Sequence, residues 1–223
     1  MKTIVISIGG SVLLSAEADT SFLLNLKHLL EQESKKSKIY LIVGGGHIAR
    51  HYIKLGRELQ FSEDILDQIG IDITRVNASL LANLLKSANT TIPHSTTQAA
   101  QLKNSIVVMG GTTPGHSTDM VGAELAEKVH ADLYVIATNV DGIFDKDPNK
   151  YDDAQQITEI TIDQLITQFG TSWESAGKNT AIDGPALSVI QKSKISTVVL
   201  NGKRLDELQK SLNNEPFDGT IIK

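Results

Sequence analysis

Five short runs of this chain, at residues 3–8, 39–43, 106–109, 133–138 and 197–200, are apolar on both faces. A strand of that kind has to be covered from above and below, as parallel strands are when helices enclose the sheet. Longer stretches of helical spacing separate the runs, at 20–34, 47–60, 62–87, 119–129, 162–169 and 185–194. In the first of these Phe22, Leu23, Leu26, Leu29 and Leu30 recur at helical intervals, and in the third Leu80, Leu81, Leu84 and Leu85 do so. This alternation argues for an α/β fold, a three-layer α/β/α sandwich with a central, mostly parallel sheet. The polar stretch 88–101, with Pro93 and a short run at 90–92, is expected to hold one short strand. The tail 213–223 is expected to hold a turn and a final strand. No linker divides the 223 residues, so 1–223 is read as one domain with two lobes.

Charge and composition narrow the possible functions. With 21 basic and 26 acidic residues the formal net charge is −5, which excludes a chain-wide basic field for nucleic acid but not a local anion site. The absence of Cys removes disulfides, a thiol nucleophile and thiolate metal sites. No run approaches the length of a membrane span, and the first residues lead straight into a strand-like segment without an apolar leader. A soluble, cytoplasmic protein is the expectation.

Three strand candidates end in glycine-rich turns. Gly9-Gly10-Ser11 follows the first; adjacent glycines let main-chain amides approach an anion, although a tight strand-to-helix turn would use them equally. Gly44-Gly45-Gly46-His47-Ile48-Ala49-Arg50 follows the second and opens a helix, so its amides add to a helix N-terminus that favours phosphate, with Arg50 one turn further on. This stretch also fits the dinucleotide fingerprint formally, but that pattern wants a second strand ending in an acidic residue about twenty positions on. The region around Glu63 and Asp64 reads as helix instead. The third turn, Gly110-Gly111-Thr112-Thr113-Pro114-Gly115-His116-Ser117-Thr118-Asp119, is a near miss to a P-loop, with His116 where Lys should stand. Asp119 at the next helix start suits either N-terminal capping or a carboxylate that orients transferring phosphates. A fourth loop, from Thr138-Asn139 through Asp141-Gly142 to Phe144 and Asp147-Pro148, offers a ring for a base and a carboxylate for a ribose, or else a hairpin turn at Asp141-Gly142. Anion-friendly turns at the carboxyl ends of several parallel strands sit where open α/β sheets bind ligands.

Taken in order, these segments resemble the amino acid kinase family, and within it the archaeal-type uridylate kinases. The matching pieces are Ile8-Gly9-Gly10-Ser11, Val43-Gly44-Gly45-Gly46 with Ala49-Arg50, Asp67 with Ile69-Gly70-Ile71, Thr74-Arg75 and Asn77-Ala78, the Met109–Asp119 loop, Thr138-Asn139-Val140-Asp141-Gly142 with Asp147-Pro148, and Gly219-Thr220. The resemblance implies the amino acid kinase fold and transfer of the ATP γ-phosphoryl group to UMP with Mg²⁺, the metal being held mainly through the ATP phosphates. It implies that Gly9, Gly10 and Ser11 underlie the transferring group, that Gly46 and Arg50 touch ATP, and that Thr138, Asn139, Phe144 and Asp147 form its nucleoside pocket. Gly45, Asp67 and the loop Thr112, Thr113, Pro114, Gly115, His116, Ser117 and Thr118 then take UMP, and Asp119 organises the transfer. It further implies an acceptor lobe over about 1–118, an ATP lobe over about 119–223, and a homo-oligomer, a hexamer. An isopentenyl phosphate kinase and a non-catalytic nucleotide-binding protein are the alternatives. One position departs from the family pattern: where many members carry Lys two residues before the first glycine pair, this chain has Ser7. Mg²⁺ and Arg50, with Lys146 or Lys150, are left to meet the charge of the phosphoryl group.

Overall fold

The computed structural model describes residues 1–14, 20–146, 148, 150–170 and 182–223. Strand β1 (Lys2–Ile8) lies at the middle of the sheet. Next to it on one side is β2 (Ser37–Val43), then β3 (Ile106–Met109); on the other side come β4 (Leu133–Thr138), β8 (Thr197–Asn201), β9 (Thr220–Ile222) and β7 (Glu159–Ile160). The pairs β1–β2, β2–β3, β1–β4 and β4–β8 are parallel, whereas β9 runs antiparallel to β8. A separate antiparallel pair joins β5 (Ile143–Phe144) to β6 (Gln156–Ile157).

Side-chain alternation divides the core into two layers. Ile4, Ile6 and Ile8 of β1 meet one layer of helices: α1 (Gly10–Leu13), α2 (Thr20–Glu33), the C-terminal half of α4 (Glu63–Leu84) and α9 (Leu205–Leu212). Val5 faces the opposite layer, built by α5 (Thr96–Gln101), α6 (Thr118–Lys128), α7 (Ile162–Phe169) and α8 (Gly184–Ser193). Ser7 shares the parity of Val5, so it points into the layer that holds α6. Helix α3 (Gly46–Glu58) packs on α4 through Ala49, Ile53 and Leu66. The expected three-layer α/β/α architecture is present, and no described helix is long and apolar enough to cross a membrane.

Two local expectations are corrected. Residues 90–92 form no strand, and the segment closes with α5 instead. The reason lies one residue earlier. Asn89 donates from Nδ2 to the Val108 carbonyl at 2.9 Å and accepts the Val108 amide at 2.6 Å, so one carboxamide serves the outer edge of β3 as a neighbouring strand would. Nor is Asp141-Gly142 the turn of a hairpin. The strand that follows it pairs with β6 rather than back onto β4, and Asp141 accepts a hydrogen bond from Asn201 Nδ2 at 3.0 Å.

Candidate active site

The carboxyl ends of β1, β2 and β4 come together where the chain has finished one side of the sheet and starts the other. The Gly9 amide donates to the Ala137 carbonyl at 2.9 Å and the Gly44 amide to the Ile8 carbonyl at 2.9 Å, so each glycine turn is tied to its neighbouring strand. The two turns also touch each other. A Cβ on Gly10 would lie 2.2 Å from the Gly46 nitrogen and 2.4 Å from the Gly44 carbonyl oxygen. Gly46 itself has φ +65°, a conformation that side chains disfavour. Glycine is therefore needed at these positions for close backbone approach, beyond the needs of an ordinary turn.

A cleft of about 180 Å³ opens over this junction. Gly9, Gly10, Ser11, Gly45, Gly46, Arg50, Thr118, Asp119, Thr138 and Asn139 all line it. Arg50, one turn into α3, donates from Nη2 to Ser11 Oγ at 2.8 Å.

Asp119 stands in the first turn of α6 but does not cap it. The cap is Ser117, whose Oγ accepts the Met120 amide at 3.0 Å. The Asp119 carboxylate instead accepts a hydrogen bond from the Ser7 hydroxyl at 2.7 Å. Burial, reinforced by the charge of Asp183, pushes its pKa up to about 7 against the opposing effect of the Ser7 hydrogen bond. Ser7 thus places a neutral donor, not the cation that the family resemblance led one to expect, on the carboxylate. Asp183 caps α8 by accepting the Ala186 amide at 3.0 Å, and burial raises its pKa as well. The buried Tyr134 hydroxyl donates to the Asp119 carbonyl at 2.8 Å and holds that turn from below.

The third glycine turn flanks the cleft on the α4 side. Asp67 Oδ2 accepts the Gly115 amide at 2.7 Å, which brings the acidic residue expected at a ribose against the loop expected to wrap the acceptor. Thr74 Oγ1 accepts the Gly111 amide at 2.6 Å. Arg75 donates to the Gly111 and Thr112 carbonyls at 3.2 and 3.0 Å, and Asn77 donates to the Gly44 carbonyl at 2.9 Å. Sequence reading assigned none of these three a role. The available signal was a polar face, Asp67, Thr74 and Asn77, interrupting an otherwise apolar helix at helical spacing.

Not every expected residue joins the cleft. Thr112, Thr113, Pro114, Gly115, His116 and Ser117 stand beside it rather than lining it. Phe144 is half-buried on β5, away from the cleft lining. Asp147 lies outside the described residues. Lys146 forms an ion pair with Asp153 at 2.6 Å.

Residues 2–201 match the family model described as the amino acid kinase family. The chain belongs to the amino acid kinase family. Among its relatives, the uridylate kinase of Methanobrevibacter smithii is 41% identical over 222 residues, covering 98% of each chain. The uridylate kinase of Thermoplasma volcanium is 42% identical over 223 residues, covering 99% of this chain and 97% of the relative. The crystal structure of uridylate kinase from Archaeoglobus fulgidus superposes with a TM-score of 0.87 at 39% identity, covering all of both chains. Within this family, then, the chain is similar over its full length to archaeal uridylate kinases.

Proposed function

We propose that this chain transfers the γ-phosphoryl group of ATP to UMP, giving UDP and ADP, as a step toward pyrimidine nucleoside triphosphates. The observation that carries the reading is the contact between the two glycine turns beneath a cleft that also holds Arg50 and Asp119, in a chain 41% identical to a uridylate kinase. Phosphoryl transfer asks a protein mainly to position two phosphates in line and to stabilise the charge between them. The amides of Gly10, Ser11 and Gly46 and the guanidinium of Arg50 suit the ATP phosphates, with Gly9 anchoring the turn beneath them through its bond to Ala137. Thr138, Asn139, Phe144 and Asp147 take the nucleoside of ATP in this reading. Gly45, Asp67 and the 112–118 loop take UMP. Residues up to about 118 thus form the acceptor lobe and the remainder the ATP lobe.

The donor set suits Mg²⁺ that arrives with the nucleotide. Among the described residues no group of three His, Asp or Glu could hold an ion alone. Asp119, a buried carboxylate that among the described residues accepts a hydrogen bond from the Ser7 hydroxyl and is crowded by a second carboxylate, gains from a nearby cation. Asp119 would hold the metal's inner side while phosphates supply the rest, and bound there it would neutralise charge on the transferring group. A cytoplasmic homo-oligomer, a hexamer, completes the reading by resemblance to uridylate kinases.

The test is ADP release from the purified chain with UMP, CMP, isopentenyl phosphate or no acceptor. Turnover with UMP well above the other three is expected. Preference for isopentenyl phosphate, or ATP binding without turnover, would replace the reading by one of the alternatives.

A further inference from the structure

Arg75 sits on α4, with its side chain four-fifths buried behind the 110–118 loop. Its fork spans two successive carbonyls, Gly111 through Nε at 3.2 Å and Thr112 through Nη2 at 3.0 Å. The nearest carboxylate, Asp72, is mostly exposed and 3.7 Å away, so Arg75 spends its directed hydrogen bonds on the loop. The loop amides have partners on the same helix face: Gly111 donates to Thr74 and Gly115 to Asp67. One helix therefore fixes the loop at both carbonyls and amides, and within one further turn fixes the Gly44 turn through Asn77.

A loop that receives a phosphate dianion has a specific difficulty. Every carbonyl oxygen that swings toward the ligand repels it, while every amide attracts it. A guanidinium that draws two consecutive carbonyls away, and leaves a positive charge behind them, favours the anion without touching it.

We propose that Arg75 is the positioning residue of the acceptor loop, setting the affinity for a nucleoside monophosphate by holding the Gly111 and Thr112 carbonyls against α4. This rests on the reading that the 112–118 loop takes UMP. These bonds hold the loop and not the ligand, so only a part of their loss, about the worth of one such bond, should reach the affinity, as about tenfold to a hundredfold.

Steady-state kinetics of the full chain carrying Arg75→Gln should show the UMP KM rising by that factor, with the ATP KM and the kcat at saturating UMP unchanged. Arg75→Lys keeps the charge but offers one donor centre, so its UMP KM should fall between. If the Gln variant does not fold, the Lys variant carries the same comparison. Hydrogen exchange without nucleotide gives an independent readout: the Gly111 and Gly115 amides should exchange faster in either variant, with β3 unaffected. A normal UMP KM in both variants, an equal rise for UMP and ATP, or unchanged loop exchange would overturn the assignment. Should the wild-type chain fail to phosphorylate UMP, the acceptor reading falls by itself, and the exchange experiment alone decides whether Arg75 holds the loop.

Discussion

The two sides of the cleft are held by opposite means. The glycine cradle, residues 9–11 and 44–46, is held by the absence of side chains: backbone lies so close to backbone that a Cβ on Gly10 or Gly46 has no room. The third glycine turn, residues 110–118 and the proposed acceptor loop, is held by side chains reaching out from α4. A surface made of main chain offers one geometry and tolerates almost no substitution. A surface hung from side chains can be adjusted one hydrogen bond at a time. The shared requirement of every such kinase, a place for ATP phosphates, would rest on the first, and the choice of acceptor on the second.

The cradle should break outright. Gly10→Ala drives its Cβ onto the Gly46 nitrogen, so turnover should vanish with all acceptors and the thermal midpoint should fall, both measurable on the purified variant. Arg50 is the cradle's charged side chain and should fail differently. Arg50→Ala should lower kcat on the order of 10³-fold while keeping the fold, and a variant altered only in ATP KM would show that Arg50 merely binds. On the acceptor side losses should be graded and confined to one substrate. Asp67→Ala removes both the Gly115 contact and the proposed ribose acceptor, so it should raise the UMP KM about tenfold to a hundredfold with the ATP KM unmoved; equal loss for both substrates would erase the contrast.

The smallest effect is the one on stability expected at Asp119, which joins the sides. Its pKa rises from the usual 3.8 when unfolded to about 7 when folded. A raised folded pKa means a stabilising proton that is fully present at low pH and is lost as pH climbs through about 7. Without nucleotide, the thermal midpoint should therefore fall between about pH 4 and pH 7 and level off above that, and Asp119→Asn should flatten that fall and melt a few degrees higher at pH 8, at roughly 2–4 °C per kcal/mol. Parallel wild-type and variant curves would mean that Asp119 is already ionised. The same variant should lose turnover.

Much of this was readable in the chain itself. Strands buried on both faces announce themselves by composition, and all five expected runs are strands within a few residues. The glycine turns were legible because close backbone approach leaves a residue-type signature. Side-chain substitutes for backbone left none. Asn89 closing the edge of β3 looks like any loop Asn, so the neighbouring 90–92 run reads as the strand that it displaces. Likewise Arg75 belongs by composition to an ordinary helix surface, Thr74 left only the faint signal of a polar position in line with Asp67 and Asn77, and only the fold brings the 110–118 loop over them. Ser7 stood out as a departure, but its partner lies 112 positions away, too far for local spacing to suggest.

The order of the sheet governs how such a chain can be divided. Every strand on one side of β1 is complete by Met109, and every strand on the other starts at Leu133 or later. The halves meet along one parallel seam, from Ile4 beside Leu133 to Ile8 beside Ala137, with α6 packed beneath it. A single genetic crossover between residues 109 and 118 would thus join β1–β3 of one family member to β4–β9 of another, and would have to preserve that seam, the seat of α6 and the packing of α9 on α2. On the lobe division proposed above, inheritance of the acceptor would become separable from inheritance of the donor, and a lineage could trade substrates by splicing rather than by accumulating point changes.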